Sequence, residues 1–147
     1  MSSKNKITNL KAFEIINKIE KKHLTSDEVI KAFVENIIIK NKRYQVFNNF
    51  KKKTIFAQLK NQKKTNLLLK GIPIGIKDIF NTIEHTNTMG SKIYKNYNPG
   101  NDARVVSDIR KQGGIIMGKT FSSEFAVHEP TLTKNPYNTN FSPGTSS

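Results

Sequence analysis

The sequence predicts an α/β fold in which N-terminal helices precede part of a mixed β-sheet core. Apolar residues recur at helical spacing through roughly residues 1–65. From Gly71 onward glycine and proline punctuate the chain, and two short isoleucine-rich runs flank a further helical pattern. Because the order strand, helix, strand is typical of α/β proteins, we expect residues 66–147 to form part of such a core.

Bulk composition limits the function classes. The chain has 147 residues, enough for one modest domain, and it contains no cysteine. Disulfides, thiolate metal sites and a cysteine nucleophile are therefore excluded. The first residues carry no apolar core of signal-peptide length, and no run approaches the ~20 apolar residues of a membrane span. We expect a cytoplasmic protein without membrane contact.

The net charge of +14 raises the question of nucleic-acid binding. Nearly all basic residues are lysine, and asparagine and isoleucine are also frequent, a bias typical of an AT-rich genome. The lysines are spread along the chain without the aromatic patches of RNA-binding domains. Direct nucleic-acid contact is therefore not predicted, and a lysine-rich RNA-binding domain stays an alternative.

Three helices are expected in the first part. Apolar residues at every third position predict a helix over 9–22. A second helix begins after Thr25, because Thr25 and Glu28 have the spacing of a capping box. A third, weakly amphipathic helix is expected over 51–64. The segment 44–50 has strand-like residues, but it is short.

The α/β part opens with GIPIGIKDIF, residues 71–80. Isoleucine at every second position predicts a strand with one apolar face, and the opposite face carries small or compact residues up to Lys77. A lysine at a strand end usually points to solvent, and a partly buried lysine with a chemical role is the alternative.

A helix is then expected with Asn101 or Asp102 as its N-cap and the glycine pair 113–114 at its end. The run IIM, residues 115–117, predicts a buried strand. The segment SSEFAVHEP, residues 122–130, is expected to begin another helix.

The segment GGIIMGKT, residues 113–120, matches the phosphate-loop pattern G-x-x-x-x-G-K-[ST]. A phosphate loop follows a strand and opens its middle residues to the anion, whereas here the middle residues are bulky and apolar. We therefore favour a buried strand and keep a phosphate-loop nucleotide-binding domain as an alternative function. The histidines lack a second ligand at metal-binding spacing, so no metal site is predicted at His23, His85 or His128.

Taken together, these stretches resemble the amidase signature family. The matching segments are GIPIGIKDIFNT, DARVVSDIRKQGGIIMGKTFSSEFA, KNPYN and SPGTSS, in the order of the family. The resemblance covers nearly the whole chain and implies that residues 1–147 form the N-terminal portion of a single amidase domain, truncated before its remainder. It implies hydrolysis of amide C–N bonds by a Ser–Ser–Lys triad, with a small carboxamide as substrate and no cofactor.

The resemblance also implies roles for individual residues. Lys77 matches the lysine of the triad, Ser146 matches the serine that bridges lysine and nucleophile, and Ser147 matches a supporting position. A neutral lysine can take a proton from serine, and burial favours the neutral form. The nucleophilic serine is expected downstream, so the chain alone is expected to be inactive. Thr145 stands where the family usually has glycine, which crowds the cis peptide that precedes the bridging serine.

Two functions within the family stay open. One is a free-standing amidase, and the other is the A subunit of glutamyl-tRNA(Gln) amidotransferase, which releases ammonia from glutamine and passes it to a charged tRNA. The segment 126–138 lacks the longer insertion associated with that subunit, which favours the free-standing amidase. The oligomeric state is left open, with a homodimer among the alternatives.

Overall fold

The computed structural model describes residues 7–62, 67–127 and 129–144. Its helices precede and flank a small sheet, and a 3₁₀ turn follows the last strand. In chain order the elements are α1 Ala12–Glu20, α2 Ser26–Tyr44, β1 Phe47–Asn49, α3 Lys52–Asn61, β2 Pro73–Lys77, α4 Arg104–Lys111, β3 Ile115–Thr120 and the 3₁₀ turn Glu124–Ala126.

The second helix begins at the capping box that the sequence predicts. The Thr25 hydroxyl oxygen accepts the Glu28 backbone N–H at 3.2 Å, and the Glu28 carboxylate accepts the Thr25 backbone N–H at 2.8 Å. These bonds satisfy two amides that a helix start leaves without partners. The expected first and third helices are also confirmed, as α1 and α3.

Asn41 directs the chain from α2 into β1. Its side-chain oxygen accepts the backbone N–H groups of Val46 and Phe47, both at 2.7 Å, and its Nδ2 donates to the Phe47 carbonyl at 2.9 Å. The region expected to be helical, 1–65, therefore also contributes a strand to the sheet. A strand of three residues is too short to leave a periodic signal in the sequence.

The sheet of the described residues has the strand order β1-β3-β2. The outer strand β1 pairs antiparallel with β3, whereas β2 pairs parallel with it, so the sheet is mixed. β3 carries an irregularity between Ile116 and Gly118, where Gly118 adopts φ 149°. A methyl group at Gly118 would lie 2.2 Å from the Asn49 carbonyl oxygen, so the close approach of β1 requires glycine at this position.

Both faces of the central strand are covered by helices. Ile115 and Met117 pack with the buried faces of α2 and α3, whereas Ile116 packs with Val106 of α4. This alternation follows from the two-residue period of a strand. The resulting three-layer arrangement is an α/β core, as the sequence predicts. A further apolar cluster joins α1 to the start of the second part through Ile15, Val29 and Ile72.

The fourth helix is present, but its predicted cap is wrong. The N-cap residue is Ala103, and no side chain caps this helix. The Asp102 carboxylate instead accepts the Ile83 backbone N–H at 2.9 Å and the Arg110 Nε–H at 2.8 Å. Asp102 therefore ties the preceding loop to the last turn of α4. The helix ends as predicted, with Gly113 at φ 84° just beyond it.

The segment after β3 does not continue as an α-helix. Among its described residues, which leave out 128, a single 3₁₀ turn forms, and Phe125 and Ala126 both adopt positive φ, at 51° and 66°. The chain then returns to the end of α2, where the Lys134 backbone N–H donates to the Tyr44 carbonyl at 2.9 Å. Among the described residues, no helix combines the length and the apolarity that crossing a bilayer requires.

Candidate active site

Lys77 is the last residue of β2 and is half-buried. Its Cα pairs with that of Thr120 at the end of β3. Gly75, two residues before Lys77, lets Thr120 and Phe47 pack closely against this end of the strand. A methyl group at Gly75 would lie 3.0 Å from the Thr120 methyl carbon and 3.4 Å from the Phe47 ring. The structure thus gives Lys77 the partly buried position that the sequence raised as an alternative.

Backbone hydrogen bonds fix the turn that follows Lys77. The Asp78 N–H donates to the Thr120 carbonyl at 3.1 Å, and the Phe80 N–H donates to the Lys77 carbonyl at 3.1 Å. The Met89 N–H donates to the Asp78 carbonyl at 2.9 Å. Three separate segments of the chain therefore meet at the end of β2.

The Asp78 carboxylate is fully buried and accepts several hydrogen bonds. Asn48 Nδ2 donates to it at 2.6 Å, the Thr88 backbone N–H donates at 3.2 Å, and the Thr88 hydroxyl also donates. Lys119 Nζ lies 3.2 Å from Asp78 Oδ1. These bonds replace the hydration that the carboxylate loses on burial.

Lys119, rather than Lys77, is the fully buried lysine of the structure, with 0% of its surface exposed. Its Nζ donates to the Phe80 carbonyl at 2.6 Å and to Asn87 Oδ1 at 3.2 Å, in addition to its contact with Asp78. Burial lowers the pKa of Lys119, and the charge of Asp78 and its hydrogen bond oppose that shift. Sequence reasoning missed this role, although a lysine within a buried strand was a visible signal.

The phosphate-loop alternative is wrong. Residues Ile115–Thr120 of the matching segment form the central strand β3, and the first five of them are buried. Gly113 closes the end of α4 through its N–H, which donates to the Arg110 carbonyl at 2.9 Å. The Ile115 N–H donates to the Ile72 carbonyl at 2.9 Å, and the Ile116 N–H donates to Gln58 Oε1 at 3.0 Å. The Lys119 amine binds Asp78, Phe80 and Asn87.

A family model described as Amidase matches residues 28–147 of this protein. The chain belongs to the amidase signature family. It is 36% identical over 153 aligned positions to the A subunit of glutamyl-tRNA(Gln) amidotransferase from Clostridium botulinum (strain Okra / Type B1), covering 96% of this chain and 32% of that protein. The chain thus spans about a third of the length of the curated relatives it matches.

Solved structures agree with this membership. A fatty acid amide hydrolase superposes with a TM-score of 0.88 at 26% identity, covering 99% of this chain and 28% of that one. The native peptide amidase of Stenotrophomonas maltophilia superposes with a TM-score of 0.81, covering 94% of this chain and 32% of that one, and its 22% identity indicates a shared fold alone. The predicted α/β fold and the resemblance to the amidase signature family are both confirmed.

The predicted serine pair lies outside the described residues. Ser146 and Ser147 follow the last described residue, as does Thr145, so their positions relative to Lys77 stay predictions. His128 also lies outside the described residues. Within the described part of the amidase chain, no group of three or more histidine and carboxylate side chains is arranged to hold a metal ion.

A groove borders the turn after β2. Its volume is about 910 Å³, and Asn48 and Thr88, which both bind Asp78, contribute to its wall. Ser122 and Glu124 contribute from the chain after β3. The groove therefore opens beside the same strand ends that carry Lys77 and Lys119.

A second buried polar pair lies close by and is not satisfied. His85 is 1% exposed, and neither of its ring nitrogens, nor the Thr82 hydroxyl, has a hydrogen-bond partner among the described residues. Burial lowers the pKa of His85 to about 4, and the positive charges of Lys51, Lys119 and Arg110 act in the same direction. His85 is therefore neutral at ordinary pH and takes no part in the bonds at the end of β2.

Proposed function

We propose that the protein to which this chain contributes hydrolyses amide C–N bonds, as a free-standing amidase acting on a small carboxamide. The observation that supports this most is the position of Lys77 in a chain of the amidase signature family. Lys77 matches the triad lysine of that family, is half-buried, and stands at the end of a strand whose following turn is held by buried polar bonds.

The chemistry requires a base that activates a serine. A serine hydroxyl becomes an effective nucleophile when its proton is removed, and Lys77 in its neutral form is the proposed acceptor. Ser146 would relay the proton between the nucleophile and Lys77, and Ser147 would support that bridge. The serine oxygen attacks the amide carbonyl, the C–N bond breaks, and the proton held by Lys77 passes to the leaving nitrogen. Water then hydrolyses the ester to release the carboxylate.

This proposal places residues 1–147 as the N-terminal portion of the amidase domain. The nucleophilic serine is then expected beyond Ser147, because the matched relatives are about three times longer than the matched region. An isolated chain of 147 residues is accordingly expected to show no turnover.

The A subunit of glutamyl-tRNA(Gln) amidotransferase is the second candidate function. The 36% identity to that subunit from Clostridium botulinum favours it. The short segment 126–138 favours the free-standing amidase, and part of that segment is held against α2 by the Thr133 hydroxyl, which donates to the Gln45 carbonyl at 2.7 Å. Both candidates cleave a primary carboxamide, so they share the proposed role of Lys77.

The decisive experiment replaces Lys77 in the full-length enzyme. Lys77→Ala is expected to lower turnover of a carboxamide panel by at least about 100-fold, because the proton acceptor is lost. Lys111→Ala is the matched control, since Lys111 lies on the exposed face of α4, with 69% of its side chain exposed, and pairs with Asp108 at the surface. Circular dichroism checks that both variants fold.

The outcome separates three cases. Turnover within tenfold of the parent in Lys77→Ala would contradict the proposed role of Lys77. If the parent hydrolyses simple carboxamides and Lys77→Ala loses that activity, the result supports the free-standing amidase. Glutamine hydrolysis that appears only with further subunits and charged tRNA would support the amidotransferase instead.

A further inference from the structure

We propose that Lys119 is a positioning residue that clamps the turn after β2 and thereby fixes the Lys77 amine. The inference rests on the proposed role of Lys77 as the proton acceptor. It concerns a residue whose side chain is closed to solvent, so Lys119 acts through its neighbours and does not touch substrate.

The first support is the match between donors and acceptors around Lys119. An ammonium group has three N–H donors, and Lys119 Nζ has three acceptors at 2.6 to 3.2 Å. These acceptors are the Phe80 carbonyl, Asn87 Oδ1 and Asp78 Oδ1. Each donor therefore has a defined partner, and the amine is held in one orientation.

The second support is where these contacts fall along the chain. Two of the three acceptors belong to residues of the turn that begins at Lys77, namely the side chain of Asp78 and the carbonyl of Phe80. The Phe80 N–H in turn donates to the Lys77 carbonyl at 3.1 Å, which closes that turn. Lys119 thus binds the turn at two residues on the C-terminal side of Lys77.

The third support is the position of Asp78 directly after β2. Because Asp78 is bonded to Lys77 along the chain, fixing its side chain restrains the backbone that carries Lys77. Lys119 holds Asp78 from β3, and Asn48 and Thr88 hold it from two further segments. The backbone on the C-terminal side of Lys77 is therefore held by side chains from three other segments of the chain.

A buried ion pair of this kind is a poor source of stability relative to an apolar pair of the same shape, because both charges lose their hydration. Its value lies in geometry, since a charge pair accepts only a narrow set of arrangements. A catalytic amine displaced by about 1 Å can lose two orders of magnitude in rate, so rigid support at this turn has a direct effect on turnover.

The test uses the full-length enzyme with Lys119→Met, Asp78→Asn and the double variant, and Lys111→Met as the control on the exposed face of α4. We expect kcat to fall at least about 100-fold in Lys119→Met, with KM within about threefold of the parent. The midpoint of the rate–pH profile is expected to move by about half a unit or more. Loss of folded enzyme alone would lower the amplitude of that profile without moving it.

Hydrogen exchange gives a readout that does not depend on activity. The amides of Asp78, Phe80 and Met89 are expected to exchange at least about tenfold faster in Lys119→Met than in Lys111→Met. If Lys119→Met does not fold, the same exchange measurement is made on the double variant Asp78→Asn, Lys119→Met, which has neither charge. Failure of both to fold would assign the pair to folding alone and overturn the proposal.

The outcomes distinguish this inference from the proposed function. If Lys77→Ala loses turnover but Lys119→Met keeps kcat within about threefold, the clamp is overturned and the role of Lys77 stands. If Lys77→Ala keeps its turnover, the proposed role of Lys77 fails, and the exchange of the turn amides still decides whether Lys119 clamps the turn. Unchanged exchange would overturn the clamp in either case.

Discussion

The ends of strands β2 and β3 present the same side chain in two different settings. Lys119 of β3 is fully buried and its amine contacts Asp78, Phe80 and Asn87. Lys77 of β2 is half-buried beside Thr120, the last residue of β3. Burial depth therefore separates the two lysines, because Lys119 is closed to solvent whereas Lys77 keeps part of its surface exposed.

The largest expected effect comes from deleting the buried amine. Lys119→Met leaves the Asp78 carboxylate buried without its cation, and we expect the free energy of unfolding to fall by about 3–5 kcal/mol. Lys77→Met is the matched comparison and should cost about 1 kcal/mol or less, because a half-buried amine keeps part of its hydration. Urea denaturation of both variants measures the difference. Equal losses would erase the distinction between the two lysines.

A second comparison concerns a glycine near each lysine, since Gly118 directly precedes Lys119 and Gly75 lies two residues before Lys77. Gly118→Ala is expected to lower stability by about 3 kcal/mol, because φ is positive there and the added methyl would overlap the Asn49 carbonyl oxygen. Gly75→Ala should cost about 1 kcal/mol, since its nearest contact is a methyl group of Thr120. Thermal unfolding monitored by circular dichroism compares the two, and a larger loss at Gly75 would contradict the register of β1 against β3.

His85, unlike Lys119, has no hydrogen-bond partner for its buried ring nitrogens among the described residues, and it makes the stability of the protein depend on pH. The pKa of His85 is about 4 in the folded protein and near its ordinary 6.5 when unfolded, so the unfolded state binds the proton more readily. Stability from this group is therefore complete above pH 6.5 and is lost as the pH falls toward 4, by at most about 3 kcal/mol.

Denaturation midpoints measured between pH 7 and pH 4 test this dependence. His85→Gln should flatten the part of the curve that His85 contributes, whereas His23→Gln, at an exposed site, should leave the curve as in the parent. A parent curve that stays flat over this range would show that His85 is protonated without cost in the folded state.

The smallest expected effect is on nucleotide binding. Titration with ATP or GTP should give no binding heat in the parent, and Lys119→Met should leave that result unchanged, because the Lys119 amine is committed to three protein acceptors. Calorimetry measures both proteins under one condition. Micromolar binding by the parent that disappears in the variant would restore a phosphate-binding role for residues 113–120.

Local patterns in the sequence were enough to predict the helices and the two longer strands. The capping box at Thr25 and Glu28 marks the start of α2, and alternating isoleucines mark β2, because both signals lie within one element. The cap at Asp102 was predicted wrongly for the opposite reason. Its carboxylate is taken by Arg110 and Ile83, and local spacing does not show which distant donors compete for a side chain.

The same limit applies to the candidate site. The sequence points to Lys77 because it ends an apolar strand and matches a family motif, and both signals lie in neighbouring residues. The cluster around Lys119 joins β3 to Asn48, Asp78 and Asn87, which all lie 32 or more residues before Lys119 in the chain. Such a cluster follows from tertiary packing, so the single sequence did not reveal which of the two lysines would be fully buried.

The Asp78–Lys119 pair also has a consequence for how the strands find each other. A slip of β2 by one residue along β3 would present either Lys77 or Ile79 to the buried amine in place of Asp78. Neither can neutralise Lys119, and the first would bring two cations together in a site closed to water. The charge pair therefore favours the correct register of β2 against β3. A chain whose strands pair one residue out of register leaves Lys119 without a counter-charge, so that pairing is unstable and opens again.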